Sequence, residues 1–116
     1  ISFLAGFDGE SVPTDLIVQI YGEMVMARSG TFDGEVGYIS TTSDSQPVLV
    51  DVEKNSTSIY STIPFFPNGD GAQNMSAGVL ETDNTFVSGD RITFRVTQIG
   101  SSVFGQGLRF TLKCRV

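Results

Sequence analysis

The sequence predicts an antiparallel all-β domain, a β-sandwich of jelly-roll or immunoglobulin-like type with about eight strands. Three observations predict it. Apolar residues alternate with a period of two rather than 3.6. Gly-containing turn pairs such as Asp33-Gly34 and Ser88-Gly89 separate the alternating runs. No segment carries the pattern of a long amphipathic helix.

In chain order, residues 1–7 read as an opening strand. From Leu16 to Met26 the even positions are Leu16, Val18, Ile20, Gly22, Met24 and Met26, which predicts one core-facing side. Gly22 marks a bend or bulge in that strand. Residues 34–41 form a weaker strand carrying Val36 and Tyr38. In 48–54, Val48, Val50 and Val52 face one way, and Asp51 and Glu53 the other. Residues 58–63 and 75–80 are weaker strands, the second with Met75, Ala77 and Val79 on one face. In 91–99, Ile92, Phe94 and Val96 alternate with Arg91, Thr93, Arg95 and Thr97. The last strand places Leu108, Phe110, Leu112, Cys114 and Val116 inward, and Arg109, Thr111, Lys113 and Arg115 outward. One wet face per strand belongs to antiparallel sheets. Turns are expected at Asp8-Gly9, Asp33-Gly34, Asn68-Gly69, Asp70-Gly71 and Ser88-Gly89.

The chain of 116 residues fits one domain, residues 1–116, large enough for a hydrophobic core. Its composition, 40% hydrophobic and 17% charged, is that of a globular chain rather than a disordered one. No apolar run approaches the roughly 20 residues of a membrane helix, so no membrane insertion is expected. The apolar opening residues lack the basic flank and cleavage site of a signal peptide. Starting at Ile1 suggests processing, or a segment of a longer polypeptide. The net charge of −6 opposes binding to nucleic acid. The nearest basic group is Arg109, Lys113 and Arg115 on the last strand. It reads either as a partner or anion contact or as a solvated, edge-protecting face.

With no histidine, the chain excludes His triads, His–Cys dyads and His metal ligands. The two lysines, Lys54 and Lys113, lie in a hairpin and on an outward face. The single cysteine cannot pair within the chain, and its alternation directs it to the core. Asn68-Gly69-Asp70-Gly71, with Asp83 and Asp90 elsewhere, offers oxygens for Ca²⁺ but lacks EF-hand spacing. Asp51 and Glu53 share a strand face, yet a chain without Trp gives little support to a sugar-cleaving cleft. Asn55-Ser56-Thr57 and Asn74-Met75-Ser76 match the glycosylation sequon at accessible turns. No catalytic residue, cofactor or metal ligand is therefore assigned. The apolar loop Pro64-Phe65-Phe66-Pro67 either folds back over the end of the sandwich or packs on a neighbouring subunit. Phe104 poses the same question, so Phe65, Phe66 and Phe104 are the candidate subunit contacts.

Two stretches carry a family resemblance. The first runs Val50-Asp51-Val52-Glu53-Lys54-Asn55-Ser56-Thr57-Ser58-Ile59-Tyr60-Ser61-Thr62-Ile63. The second is Phe86-Val87-Ser88-Gly89-Asp90-Arg91-Ile92, continuing as a strand to Gly100. Together with the closing strand they resemble a β-sandwich module of tailed-bacteriophage virion proteins, found in head-surface, tail-fibre and baseplate proteins. Its pattern is a D-V-x-K-N-G-x-S-I hairpin followed by a G-D-x-(I/L) strand entry. The resemblance spans residues 16–116 and departs at Ser56, where the pattern has glycine. It implies a non-enzymatic virion component at the particle surface, contacting other virion proteins and oligomeric, with a homotrimer favoured. The lack of a coiled coil or linker leans toward head decoration. A second reading is a carbohydrate-binding adhesin module contacting a surface glycan, with Tyr21, Tyr38 and Tyr60 as stacking residues. A small enzyme is the third.

Overall fold

The computed structural model describes residues 1–8, 12–69 and 73–116. The expected turns at Gly9 and at Asp70-Gly71 lie outside the described residues. Eleven strands and no helix are present among the described residues. They are β1 (Ser2–Ala5), β2 (Gln19–Val25), β3 (Gly30–Thr41), β4 (Val48–Lys54), β5 (Thr57–Ser58) and β6 (Tyr60–Thr62). β7 (Phe65–Phe66), β8 (Val79–Leu80), β9 (Thr85–Phe86), β10 (Arg91–Gln98) and β11 (Gln106–Arg115) follow.

The strands form a four-stranded sheet, β1-β11-β3-β9, and a five-stranded one, β2-β10-β4-β5, with β7 also on β4. The pairing is nested: β1 with β11, β2 with β10, β3 with β9, and β4 with β5 and β7, all antiparallel. A chain folded back on itself and then wound into two facing sheets gives this order, the jelly roll. The immunoglobulin-like alternative places the first two strands side by side; here β1 and β2 lie in different sheets. β6 and β8 form a small separate pair.

The facing sheets meet through aromatic rings. Phe94 on β10 stacks on Phe3 of β1 at 4.6 Å between centroids, tilts against Phe110 of β11 at 5.2 Å, and meets Tyr21 at 6.5 Å. Around it Val50, Val52, Ile92, Val96, Leu108 and Leu112 are buried, as their alternation predicts. Close approach of backbone is required at Gly37, where an added Cβ would lie 2.9 Å from the Phe66 ring and from the Arg109 carbonyl.

Strands β2 and β11 depart from the expected facing, and β3, for which the sequence assigns none, acquires one. In β2 a bulge at Tyr21 breaks the register, so Gly22 opposes Phe94 but Ile20 opposes Arg95. The extra residue reverses parity. Met24 faces the core side, while Ile20 and Val18 turn outward and are 47% and 52% exposed. In β3 the inward positions are Phe32, Glu35, Gly37 and Ile39, whereas Val36 and Tyr38 face solvent. In β11 the alternation holds through Leu112, but Cys114 and Val116 lie at the rim of the sheet and are exposed, not buried. The expected strand 75–80 contracts to Val79–Leu80, with Val79 exposed.

The β4–β5 hairpin is a two-residue turn in which Asn55 (φ 50°) and Ser56 (φ 73°) are both left-handed, as in a type I′ turn. Glycine adopts that conformation without the penalty a Cβ brings. Ser56→Gly is therefore expected to stabilise the chain by about 0.5–1 kcal/mol, read as a higher thermal midpoint in calorimetry.

Candidate functional site

The sequence-predicted contact residues separate on the structure. Phe66 is fully buried beneath Gly37 and serves the chain's own core. The Pro64–Pro67 loop folds back as β7, pairing Val48 with Phe66 and Leu49 with Phe65. Phe65 and Phe104 are half-buried and lie apart from any shared cluster. Of the three tyrosines, Tyr60 is buried, and its hydroxyl donates to Glu35 Oε2 at 3.0 Å. Tyr21 is half-buried against Phe94, and its hydroxyl accepts the Ile17 amide at 2.8 Å. Tyr38 alone of the three keeps its ring exposed.

Tyr38 belongs to a cross-strand row on the outer face of the four-stranded sheet. Leu4 of β1 opposes Arg109 of β11, which opposes Tyr38 of β3. The Arg109 guanidinium carbon lies 5.1 Å from the centroid of the Phe7 ring and 5.6 Å from that of Tyr38, so two rings flank the cation. Its Nη1 donates to Ser40 Oγ at 2.9 Å and to the Gly107 carbonyl at 3.3 Å. Among the described residues, Nε and Nη2 donate to nothing. The open edge is the fork that receives a carboxylate in bidentate fashion. Leu4, 66% exposed, and Val36, 55% exposed, complete an apolar surround. Aromatic and arginine side chains of this kind dominate the energetics of protein contacts. Period-two reading placed Arg109 outward; Phe7 and Leu4 were missed because their position beside it depends on the β1–β11 register.

Farther along the same strand, Arg115 pairs with Asp33 at 3.1 Å, and Lys113 is exposed. Two concavities among the described residues lie elsewhere. One, of about 330 Å³, has Phe32, Lys54, Ile59 and Asp83 in its lining; the other, of about 260 Å³, is bordered by Asp44 and Val103. In the first, Lys54 Nζ donates to the Thr85 carbonyl at 2.7 Å. Asp83 is occupied by the Thr85 hydroxyl at 2.7 Å, which, with the Thr85 amide, holds its carboxyl below the usual value. Among the described residues no three Cys, Asp or Glu side chains come together to hold a metal ion.

Acidic side chains instead fasten loops. Asp44 Oδ1 accepts the amides of Ser101, Ser102 and Val103 at 2.9, 3.0 and 3.1 Å. The Ser102 amide leads in holding its carboxyl below the ordinary value. Asp51 turns away from the Val48–Val52 core face, as expected, but is buried and accepts the Ser58 hydroxyl at 2.6 Å; its burial pushes its pKa up.

The two stretches of the family resemblance interlock. Asn55 Nδ2 donates to Asp90 Oδ1 at 2.9 Å, and Asn55 Oδ1 accepts the Arg91 amide at 2.9 Å. Asp90 Oδ2 accepts the Val87 amide at 2.9 Å. Backbone bonds Asn55 N to Arg91 O and Met26 N to Asp90 O, each 2.9 Å, complete the clamp. The sequon at Asn55 thus has its amide nitrogen engaged. The Val87 amide and then Asn55 hold the Asp90 carboxyl below its usual value. A carboxylate with a depressed folded-state pKa adds stability above the unfolded value, about 3.9, and loses it as pH falls through the folded one. The thermal midpoint is expected to drop below about pH 4, and Asp90→Asn should flatten that acid limb.

Comparison with protein-family models, with curated proteins and with solved structures found no match.

Proposed function

We propose that this chain is a structural protein of a bacteriophage virion that binds and assembles on the particle surface. It serves as a head decoration (cement) protein or as a tail-fibre or baseplate module, and acts by binding rather than by catalysis. The observation that carries this reading is the Asn55–Asp90 clamp. The hairpin and the strand entry that resemble the phage module are 35 residues apart at these two positions. A pattern whose two halves hold each other is a single structural unit, which favours true resemblance over the chance recurrence of short turns. The broad outer face with its Leu4–Arg109–Tyr38 row suits a partner surface better than a small substrate, which is usually held in a concave pocket.

Mass spectrometry of purified particles tests this reading, together with co-sedimentation of the chain with particles that lack it. Saturable binding to the particle is expected. Absence from particles together with failure to co-sediment overturns the proposal. The carbohydrate-binding alternative has one observation in its favour, the exposed Tyr38 ring beside Arg109. Glycan-array binding abolished by Tyr38→Ala would support it.

A further inference from the structure

The two sides of the sandwich are finished differently. On one, residues 73–76 tie the sheets together. The Ile39 amide donates to the Gln73 carbonyl at 2.9 Å, the Met75 amide to the Gly37 carbonyl at 3.1 Å, and Phe65 and Ser76 exchange amide bonds at 3.1 and 2.7 Å. On the other side, β2 ends the five-stranded sheet. The Met26 amide donates to the Asp90 carbonyl at 2.9 Å, and hydrogen-bonding direction alternates along a strand. Gly22 and Met24 therefore turn their amides and carbonyls toward β10, while Glu23 and Val25 turn theirs out of the sheet. Among the described residues no backbone group meets them there. Edge strands are usually guarded by Lys, Pro or a bulge. β2 has no Lys or Pro, and its bulge lies before Gly22, so residues 22–25 keep a regular register.

Such an edge accepts an added strand through main-chain bonds, and side chains decide which one. The register sets Arg91 beside Val25 and Thr93 beside Glu23, all on the outer face. Arg91 is exposed, and its guanidinium has no partner among the described residues. Glu23 Oε2 accepts the Thr93 hydroxyl at 3.2 Å, and its Oε1 is open. A second, antiparallel copy of β2 can bond with Glu23 opposite Val25 and Met24 on the two-fold axis. Each Glu23 then lies across Val25 of the other copy from that copy's Arg91. The separation is two strand spacings, roughly 10 Å between Cα atoms, which the two long side chains close together. A register with Glu23 opposite Glu23 sets like charges face to face, which is unfavourable. One with Val25 opposite Val25 carries Glu23 past the end of the second strand and leaves its backbone groups unmet.

We propose that β2 pairs antiparallel with β2 of a second copy, through the backbone of Glu23 and Val25, with Glu23 of each copy facing Arg91 of the other. The contact is isologous and closes as a dimer, with one sheet running through both copies. It does not depend on the virion reading.

The test is sedimentation of the full chain at low salt across a concentration series, with hydrogen exchange of single amides and thermal melting of every variant. A monomer–dimer equilibrium is expected, and the Glu23 and Val25 amides should become protected as concentration rises. Arg91→Glu and Glu23→Arg should each weaken pairing roughly tenfold, and the double variant, which restores opposite charges, should recover most of it. Val25→Pro removes an outward amide that an edge strand can spare and should abolish pairing; Val25→Lys, which keeps the backbone and adds a guarding charge, is the second block.

A monomer at every accessible concentration overturns the contact, as does a trimer. So does an oligomer in which the Glu23 and Val25 amides exchange freely, or one indifferent to the charge changes and to both Val25 variants. A chain that fails these tests yet binds particles leaves the virion reading standing. A chain that pairs as described but is absent from virions does the reverse.

Discussion

Glu35→Ala is expected to destabilise the chain by about 2–5 kcal/mol, a large part of the stability of a domain this size. Glu35 opposes Leu112 and so projects from the inner face of the four-stranded sheet, where it is 6% exposed. Both carboxylate oxygens are used: Oε2 accepts the Tyr60 hydroxyl at 3.0 Å, and Oε1 accepts the Gly78 amide at 2.6 Å. Alanine would strand two donors, each costing about 1–3 kcal/mol when left without a partner. Tyr60→Phe leaves the Gly78 bond and should cost about half as much. Urea unfolding measures both changes as a lower midpoint at an unchanged slope. Burial, and next the Glu35 charge, pushes the Tyr60 phenol well above its ordinary value. A raised folded-state pKa means stability that is complete below the unfolded value, about 10, and is lost as pH rises beyond it. The wild-type chain should therefore weaken in alkali, and Tyr60→Phe should lose that part of the response.

Phe94→Ala should cost about 3–5 kcal/mol, the range for deleting a buried aromatic side chain. Phe94 is fully buried and touches rings from both sheets: Phe3 and Phe110 on one, Tyr21 on its own. The cavity left behind would be walled by residues of two sheets. Those are tied by their own ladders and can collapse only partly. Phe94→Leu, which keeps more of the volume, should lose less. A larger loss for Leu than for Ala in chemical denaturation would show that the ring cluster does not hold the sheets together.

How legible these features are in the sequence depends on how local their causes are. β4 and β10 are buried as their alternation predicts because each lies within its sheet with strands on both sides. β2 reads equally well but is misread on the N-terminal side of Gly22. A bulge adds one residue, and its position shows only when Phe94 and Arg95 supply the register. The facing of β3 is not legible in the sequence, for another reason. Glu35 faces inward and Val36 outward, the reverse of what hydrophobicity dictates, and only Tyr60 and Gly78, distant in sequence, make a buried carboxylate tolerable. Cys114 follows the alternation faithfully, yet periodicity does not say where a sheet's cover ends. At the candidate site, Tyr38 and Arg109 were both noted in the sequence, but as members of different groups. Their adjacency, with Phe7 on the other side of the cation, belongs to strand pairing rather than to spacing along the chain.

The nested pairing of the strands also bears on how the chain folds. β1 must wait for β11, 109 positions later at the Ser2–Thr111 pair, and β2 must wait for β10. Apart from the short β4–β5 hairpin, few pairs are close in sequence, so most loop-closure entropy is spent before the ladders it permits can form. Refolding on the slow side of small domains is expected, in roughly milliseconds to seconds. A chain emerging from the ribosome would hold β1 and β2 unpaired until its last strands appear. During that interval the apolar outer positions of β2, Ile20 and Val25, would be open to whatever other strand is nearby.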